Sequence, residues 1–354
     1  MPPRKSIITI KDVAADAGLS LATVSYALRN DPKIPACTRT RVQAVARNLG
    51  YRPNPRVASL MAHIRGARKR AFAEHIAFVW VHTSPLQSGS DPFLRQVFQA
   101  ARERAEQAGF ALEEFWTSER GMTDRRLEQI IRARGIIGVV LSPVTTDEAT
   151  ITLDWDWGSF AAAVIGNVTW TPELHHAGHH HYLGMRMALR ELANLGCKRP
   201  AALIEHETNE RAKRAWEAAF LTHHPTPSRA RALTRVIRPD ETFDARAWLA
   251  AQRPDALIVS SMTLFDTFRL RAACRDLNLP AVTLHWNDGT RGVGGIDQCY
   301  DRIAAHAVDL VIAQLNSNEI GVPDLPRIML FQGRWVAPRS PIGPRARTRI
   351  AHRH

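Results

Sequence analysis

Cysteine is scarce. The four in 354 residues, Cys37, Cys197, Cys274 and Cys299, fall at no short spacing, which argues against a disulfide framework and a cysteine zinc site and fits a reducing compartment. Long apolar runs are also lacking. No stretch approaches the roughly 18 residues of a membrane helix, and the opening MPPRKSIITIKDV has no apolar segment of signal-peptide length. No membrane partner is expected, and a cytoplasmic location is. Catalytic signatures are missing as well: there is no P-loop and no G-x-S-x-G turn, and GVGGID at 292–297 lacks the spacing of a dinucleotide fingerprint. With Ser, His and Asp dispersed, no catalytic residue, no cofactor and no enzyme activity are expected.

Acidic residues are nearly absent from the two ends. Residues 1–70 hold fourteen Lys and Arg against Asp12, Asp16 and Asp31, a balance of +11. Residues 337–354 hold five Arg and no acid, which leaves −3 of the overall +13 for the long middle. A basic head on a mildly acidic body is the footprint of a nucleic-acid module joined to something else. At 354 residues the chain has room for two or three domains.

The head reads as three short helices. Thr9 caps a helix whose apolar residues Ile10, Val13, Ala14 and Ala17 share one face, and Gly18 supplies a left-handed stop. Ser20 caps a second, on which Leu21, Val24, Ala27 and Leu28 cluster on one side while Ala22, Ser25, Tyr26 and Arg29 point the other way. A third is expected to start at Thr38, to bury Val42, Val45, Ala46 and Leu49, and to end at Gly50. This is a helix-turn-helix bundle, whose second helix enters the major groove. Ala22 and Thr23 are small enough for close approach to base edges, and the hydroxyls of Ser20, Thr23 and Ser25 suit phosphates. Downstream, Asn54 as N-cap and Pro55 at the first helical position predict a helix of about two turns.

TIKDVAADAGLSLATVSYALRN (9–30) followed by TRTRVQAVARNLGYRPNP (38–55) resembles the DNA-binding headpiece of the LacI/GalR family of bacterial repressors, with little interruption from Thr9 to Leu60. The resemblance implies that Leu21, Ala22 and Tyr26 face bases, with Thr9, Arg29 and Asn30 completing the DNA-facing set. It implies a hinge helix that orders on operator DNA, pairs with its dimer mate in the minor groove and wedges Leu60 into a base step, flanked by Val57 and Met61. Two positions depart from the family's habit. Tyr26 stands where an arginine commonly binds guanine, and Ala58 where an arginine is also common. The alternative for Tyr26 is that it only covers the third helix; for Leu60 and Met61, that they pack on the bundle.

Beyond a basic connector, the apolar runs 76–81, 136–141, 161–166, 201–206 and 256–261 alternate with helix-period segments at 93–108, 124–134, 183–195, 210–223, 263–277 and 300–316. Alternation of buried strand and helix means doubly wound parallel sheets. The expected fold class is an all-α helix-turn-helix headpiece joined to an α/β two-lobed domain, similar to the periplasmic-binding-protein-like core of the same family. The domains expected are 1–52 (headpiece), 53–73 (hinge and linker), 74–336 (effector binding and dimerisation) and 337–354 (basic tail), with lobe crossings near 167–175, 286–300 and 318–326. Ligands lie outside the carboxyl ends of the strands, which nominates Phe93, Arg211, Ser261, Trp286, Asn287 and Asp288: aromatic faces for a sugar ring and planar polar groups for its hydroxyls. Assignment to Arg211 is open, because the family's arginine stands four residues before an aromatic and Ala212 has that offset from Trp216. Each of these six is alternatively a plain loop or core residue.

HHAGHHHY at 175–182 invites a metal reading through its i, i+4 histidines. Gly178 argues against a continuous helix and no carboxylate or cysteine is near, so a solvated or cleft-rim loop and no metal are expected.

The function expected is a sequence-specific transcriptional regulator, a homodimer on double-stranded operator DNA whose affinity is set by a small-molecule effector such as a sugar. The rivals are a sugar-binding protein with a vestigial headpiece and an enzyme with an added DNA tether.

Overall fold

The structure, a computed structural model, describes residues 9–51, 74–144, 150–238, 241–287 and 292–338. Asn54, Val57, Leu60 and Met61 of the expected hinge, Asp288, and the tail from 339 onward lie outside the described residues.

Three helices form the headpiece: α1 (Ile10–Ala17), α2 (Leu21–Leu28) and α3 (Ala36–Asn48). Gly18 ends α1 at φ 62°, the left-handed conformation that a residue without Cβ adopts at no steric cost. Val13, Val24 and Val42, one from each helix, meet in a core of seven buried residues, around which Ile10, Leu19, Leu28, Ile34, Val45, Leu49 and Tyr51 pack. Two expectations need correction. α3 starts two residues earlier than Thr38, at Ala36, because Pro35 (φ −52°) already occupies the cap position. Leu21 is not on the buried side: it is 44% exposed, since it opens α2 beyond the reach of α3.

The body has two α/β lobes. In chain order its strands are β1 (Glu74–Trp80), β2 (Phe110–Trp116), β3 (Gly138–Leu141), β4 (Thr150–Thr152), β5 (Ala161–Ile165), β6 (Thr169–Thr171), β7 (His175–His179), β8 (Pro200–Glu205), β9 (Thr234–Ile237), β10 (Ala256–Val259), β11 (Ala281–Trp286), β12 (Gly294–Asp297), β13 (Ile328–Phe331) and β14 (Arg334–Val336). The first lobe is a six-stranded sheet in the order β13-β7-β5-β3-β1-β2, parallel throughout. The second runs β14-β12-β11-β10-β8-β9, parallel except for β14. β4 and β6 form a small separate pair. Each lobe reverses its strand order once, between β1 and β3 and between β8 and β10. Those reversals open a crevice at the strands' carboxyl ends.

Two expected helices are broken. The stretch 210–223 splits into His206–Arg211 and Ala215–His223, with Lys213 and Arg214 at positive φ between them. The stretch 263–277 splits at Arg269, also at positive φ.

The chain changes lobe three times, and not all where expected. It leaves the first lobe after β7, at His179–His180, because the helix His181–Asn194 already packs in the second lobe's core through Met185, Leu189 and Leu192. It returns between Asp297 and Tyr300, within the expected 286–300, and leaves again between Phe331 and Arg334. The expectations of 167–175 and 318–326 are therefore displaced. The three crossings touch. His180 N–H donates to Phe331 O at 2.9 Å, Asp297 accepts from Cys299 N–H and from Arg334 at 2.8 Å each, and a Cβ on Gly333 would lie 2.5 Å from Asp297 O and 3.0 Å from His179 Cε1.

Candidate functional site

The headpiece presents one helix face. On α2, Leu21, Ala22 and Tyr26 are exposed together, while Val24 and Ala27 on the opposite side are fully buried. Tyr26 is 40% exposed and lies outside the headpiece core. The polar residues around this face are held by the fold itself. Ser20 Oγ accepts from Thr23 N–H at 3.1 Å and bonds its hydroxyl at 2.8 Å. Thr9 donates both N–H and hydroxyl to Asp12 at 2.7 Å, which holds the Asp12 carboxyl below its ordinary pKa. Arg29 donates to Ser25 O at 3.0 Å and its guanidinium stands 5.1 Å from the Tyr26 ring centre, a cation–π distance. Asn30, in the left-handed region at φ 58°, accepts from Gln43 at 2.7 Å.

The second site is the crevice between the lobes. At the second lobe's strand reversal, Glu205 ends β8 and its carboxylate accepts from Ser260 at 3.1 Å, Ser261 at 2.8 Å and Thr208 at 3.2 Å; Arg211 in turn donates to Thr208 at 3.1 Å. Opposite, the helix Pro92–Gln107 is capped by Asp91, which accepts from Phe93 N–H and Leu94 N–H. Phe93 meets His285, the penultimate residue of β11, at 5.3 Å and Tyr300 at 4.9 Å between ring centres. His285 also stacks on Tyr300 at 6.0 Å, so two aromatic contacts of this one ring join the lobes. On the adjoining wall His181 stands edge-to-face with Trp216 at 4.7 Å and with His179 at 5.2 Å.

The imidazoles here are neutral. Burial pushes His179 down to about 3, with the His285 ring adding to it. Burial likewise depresses His181 and His285, and the Arg211 cation lowers both further. Burial raises the Tyr300 phenol to about 12, with Arg211 acting against it.

Of the nominated effector residues, Phe93, Arg211 and Ser261 come together in this crevice. Trp286 is half-buried with its indole N–H bonded to Val293 O at 3.1 Å, and Asn287 follows it half-buried. The sequence reading does not nominate His181, Trp216 or Tyr300, while His285 falls in the 285–288 strand end that it places at the cleft mouth. The expectation of a solvated or cleft-rim loop for the histidine run is corrected in its loop: 175–179 is β7, inside the first sheet, and His181 opens a helix. Each ring has its own environment. His175 Nδ1 accepts from Arg327 N–H at 2.7 Å, His180 caps the helix through Leu183 N–H, and His179 is 1% exposed between Gly184 and Gly333. A run that looks hydrophilic is interior because neutral imidazoles fit a strand flanked by glycine and alanine. Among the described residues no group of three or more His, Cys, Asp or Glu side chains is placed to hold a metal ion, and no helix is long and apolar enough to cross a membrane.

The model of the family described as bacterial regulatory proteins, lacI family, matches residues 9–54. The three-helix headpiece is thus the part of the chain that matches this family. Over 52 residues the chain is 48% identical to the HTH-type transcriptional repressor CytR of Escherichia coli (strain K12), a match that covers 15% of each protein. A longer match, 32% identical over 142 residues, reaches the HTH-type transcriptional regulator GalR of Escherichia coli (strain K12) and covers 39% of this chain and 37% of that one; over the whole chain the likeness is one of fold. The transcriptional regulator CelR–cellobiose complex superposes with a TM-score of 0.54 over 95% of this chain and all of that one at 17% identity. The lac repressor dimer bound to operator and the anti-inducer ONPF gives 0.50 over 96% of this chain and all of that one, also at 17%.

Proposed function

We propose that the protein is a transcriptional regulator, a repressor working in the cytoplasm as a homodimer on pseudopalindromic double-stranded operator DNA, with operator affinity set by a sugar or related hydroxylated metabolite in the interlobe crevice. The observation that carries this reading is the LacI-family headpiece, whose α2 offers Leu21, Ala22 and Tyr26 on one exposed face while its other side builds the core. In this reading α2 lies in the major groove, Ser20, Thr23 and Ser25 hold phosphates with Thr9, Arg29 and Asn30 beside them, and Asn54, Val57, Leu60 and Met61 act in the minor groove. The domain limits are those expected from the sequence, 1–52, 53–73, 74–336 and 337–354.

Coupling follows from the crossings. A ligand that binds one interlobe angle better than another shifts the population toward that angle, and the crossings that meet around His179, Asp297 and Gly333 transmit the change to the dimer's two hinge segments. Phe93 and Tyr300 from one lobe and His285, Arg211 and Ser261 from the other supply ring faces and polar groups for the ligand.

Selection of binding sites from a random duplex library tests the reading. The wild type should enrich a two-fold symmetric site, and Tyr26→Arg should change base preference at one symmetric position per half-site with the fold intact. Deleting residues 1–65 should abolish binding. Failure to enrich any site, or an unchanged profile after deletion, would contradict the proposal.

A further inference from the structure

Charge is scarce on α2: from Leu21 to Arg29 the only charged residue is Arg29. Ala22, Ser25, Tyr26 and Arg29 fall at i, i+3, i+4 and i+7, which is one stripe of a helix, and it lies away from the buried Val24 and Ala27. Arg29 ends the helix, yet its side chain does not run on into the turn. Nε donates to Ser25 O at 3.0 Å, one turn back, and the guanidinium stands over the Tyr26 ring, 5.1 Å from its centre. The cation is thereby carried from the end of α2 back along the exposed stripe. These two contacts fix it there and leave Nη1 and Nη2 without a partner among the described residues. Nearby arginines are spent on the fold: Arg39 donates to Asp31 O and Ile34 O, and Arg41 to Ala17 O. The nearby carboxylates are engaged as well, Asp12 by Thr9 and Asp31 by Lys33 N–H.

We infer that Tyr26 and Arg29 act as one unit in which Arg29 reads a base, and that the base is a guanine on the major-groove edge of the operator half-site. This rests on α2 lying in that groove, the regulator reading above, and names what the groove must offer. Guanine alone presents two acceptors there, N7 and O6, and a guanidinium meets both with two N–H donors. With Nε held by Ser25 O, the Nη1 and Nη2 end is the fork that remains. Tyr26 is the positioning residue: its ring face holds the fork in place beforehand, so less side-chain freedom is lost on binding. A phosphate would also match the charge, but it asks for no stacked platform and carries no sequence information.

The experiment starts from the two-fold symmetric site that the full chain selects from a random duplex library. That site should hold a G·C pair at one symmetric position per half-site, and fluorescence anisotropy with each of the four bases placed there should favour guanine about tenfold or more. Arg29→Ala should bring the four within about twofold of one another while the preferences at other positions stay. Arg29→Met, which keeps the stem without the charge, gives the same readout where the alanine variant fails to fold. Tyr26→Ala should cut the guanine preference to about threefold, and Tyr26→Phe, which keeps the ring face, should preserve it. A selected site without that guanine, or a guanine preference unchanged in the arginine variants, would overturn the inference. So would a loss of affinity equal for all four bases with a salt slope shallower by about one, the result of a phosphate contact. Selection of no site by the wild type would take the regulator reading down with this one, whereas a symmetric site whose profile survives Arg29→Ala would leave that reading standing and remove this one alone.

Discussion

The headpiece and the body handle polar side chains in opposite ways. Around α2, hydroxyls and amides pair with one another at the surface, Ser20 with Thr23, Thr9 with Asp12 and Asn30 with Gln43. What they frame is a small patch of Leu21, Ala22 and Tyr26, where water satisfies whatever the protein does not. In the body the carboxylates of Asp91, Glu205 and Asp297 are filled, while the buried nitrogens of His179, His181 and Trp216, like the indole N–H groups of Trp155, Trp157 and Trp170, have no partner among the described residues. The first arrangement suits a surface that meets DNA by shape and charge; the second is that of a closed interior. The two regions also differ in how much core supports them, seven buried residues in the headpiece against separate clusters on the faces of both body sheets.

That contrast can be broken from either side. The largest effect is expected at Gly295, at φ 156° with a Cβ position that falls on the Thr283 carbonyl. Gly295→Ala should cost the body about 3 kcal/mol or more, read by urea unfolding, and leave the headpiece's own transition in place. Val24→Ala should do the reverse: a cavity in so small a core costs about 2 kcal/mol, so operator binding falls while the body's melting temperature holds. Loss of both together would mean the two units do not fold independently.

Acid should act through the crossings. The unfolded chain's histidine takes up a proton near its ordinary value of 6.5, whereas folded His179 resists until about 3. Its contribution is therefore full above about pH 6.5 and falls by about 1.4 kcal/mol per pH unit as pH drops toward 3. His175, His176, His181 and His285, all depressed by burial, act with the same sign. His179→Gln should flatten this acid limb in a pH series of chemical denaturation; an unchanged slope would place the ring elsewhere. The smallest effect is at Ser20, where Ser20→Ala removes the α2 cap at about 1 kcal/mol, seen as a lower headpiece melting temperature.

The same contrast governs what could be read from the sequence. The headpiece was legible almost residue by residue, because caps at Thr9 and Ser20, the stop at Gly18 and the wheel of Val24 and Ala27 are local. Parallel strands with all-apolar runs, such as AAAVI in β5, were legible for the same reason. β2 was not: FALEEFW is an edge strand whose charged positions are half-buried and paired, Glu113 with Arg134 and His75 and Glu114 with the Trp80 indole N–H. β7 was missed because histidine counts as polar until its neighbours show it to be buried and neutral. The helix breaks at Arg214 and Arg269 were invisible, since nothing local marks an arginine for a left-handed conformation. His285 and Tyr300 meet across a lobe crossing, and His181 meets Trp216 by packing inside the second lobe, so neither pairing shows as a local pattern.

Specific operator binding is the claim on which the rest depends. Fluorescence anisotropy should compare the full chain on its selected site with a random duplex of equal length across a salt series. The account predicts an affinity about a thousandfold or more tighter for the selected site, with a steep fall as salt rises. Equal affinity for the two duplexes would contradict it.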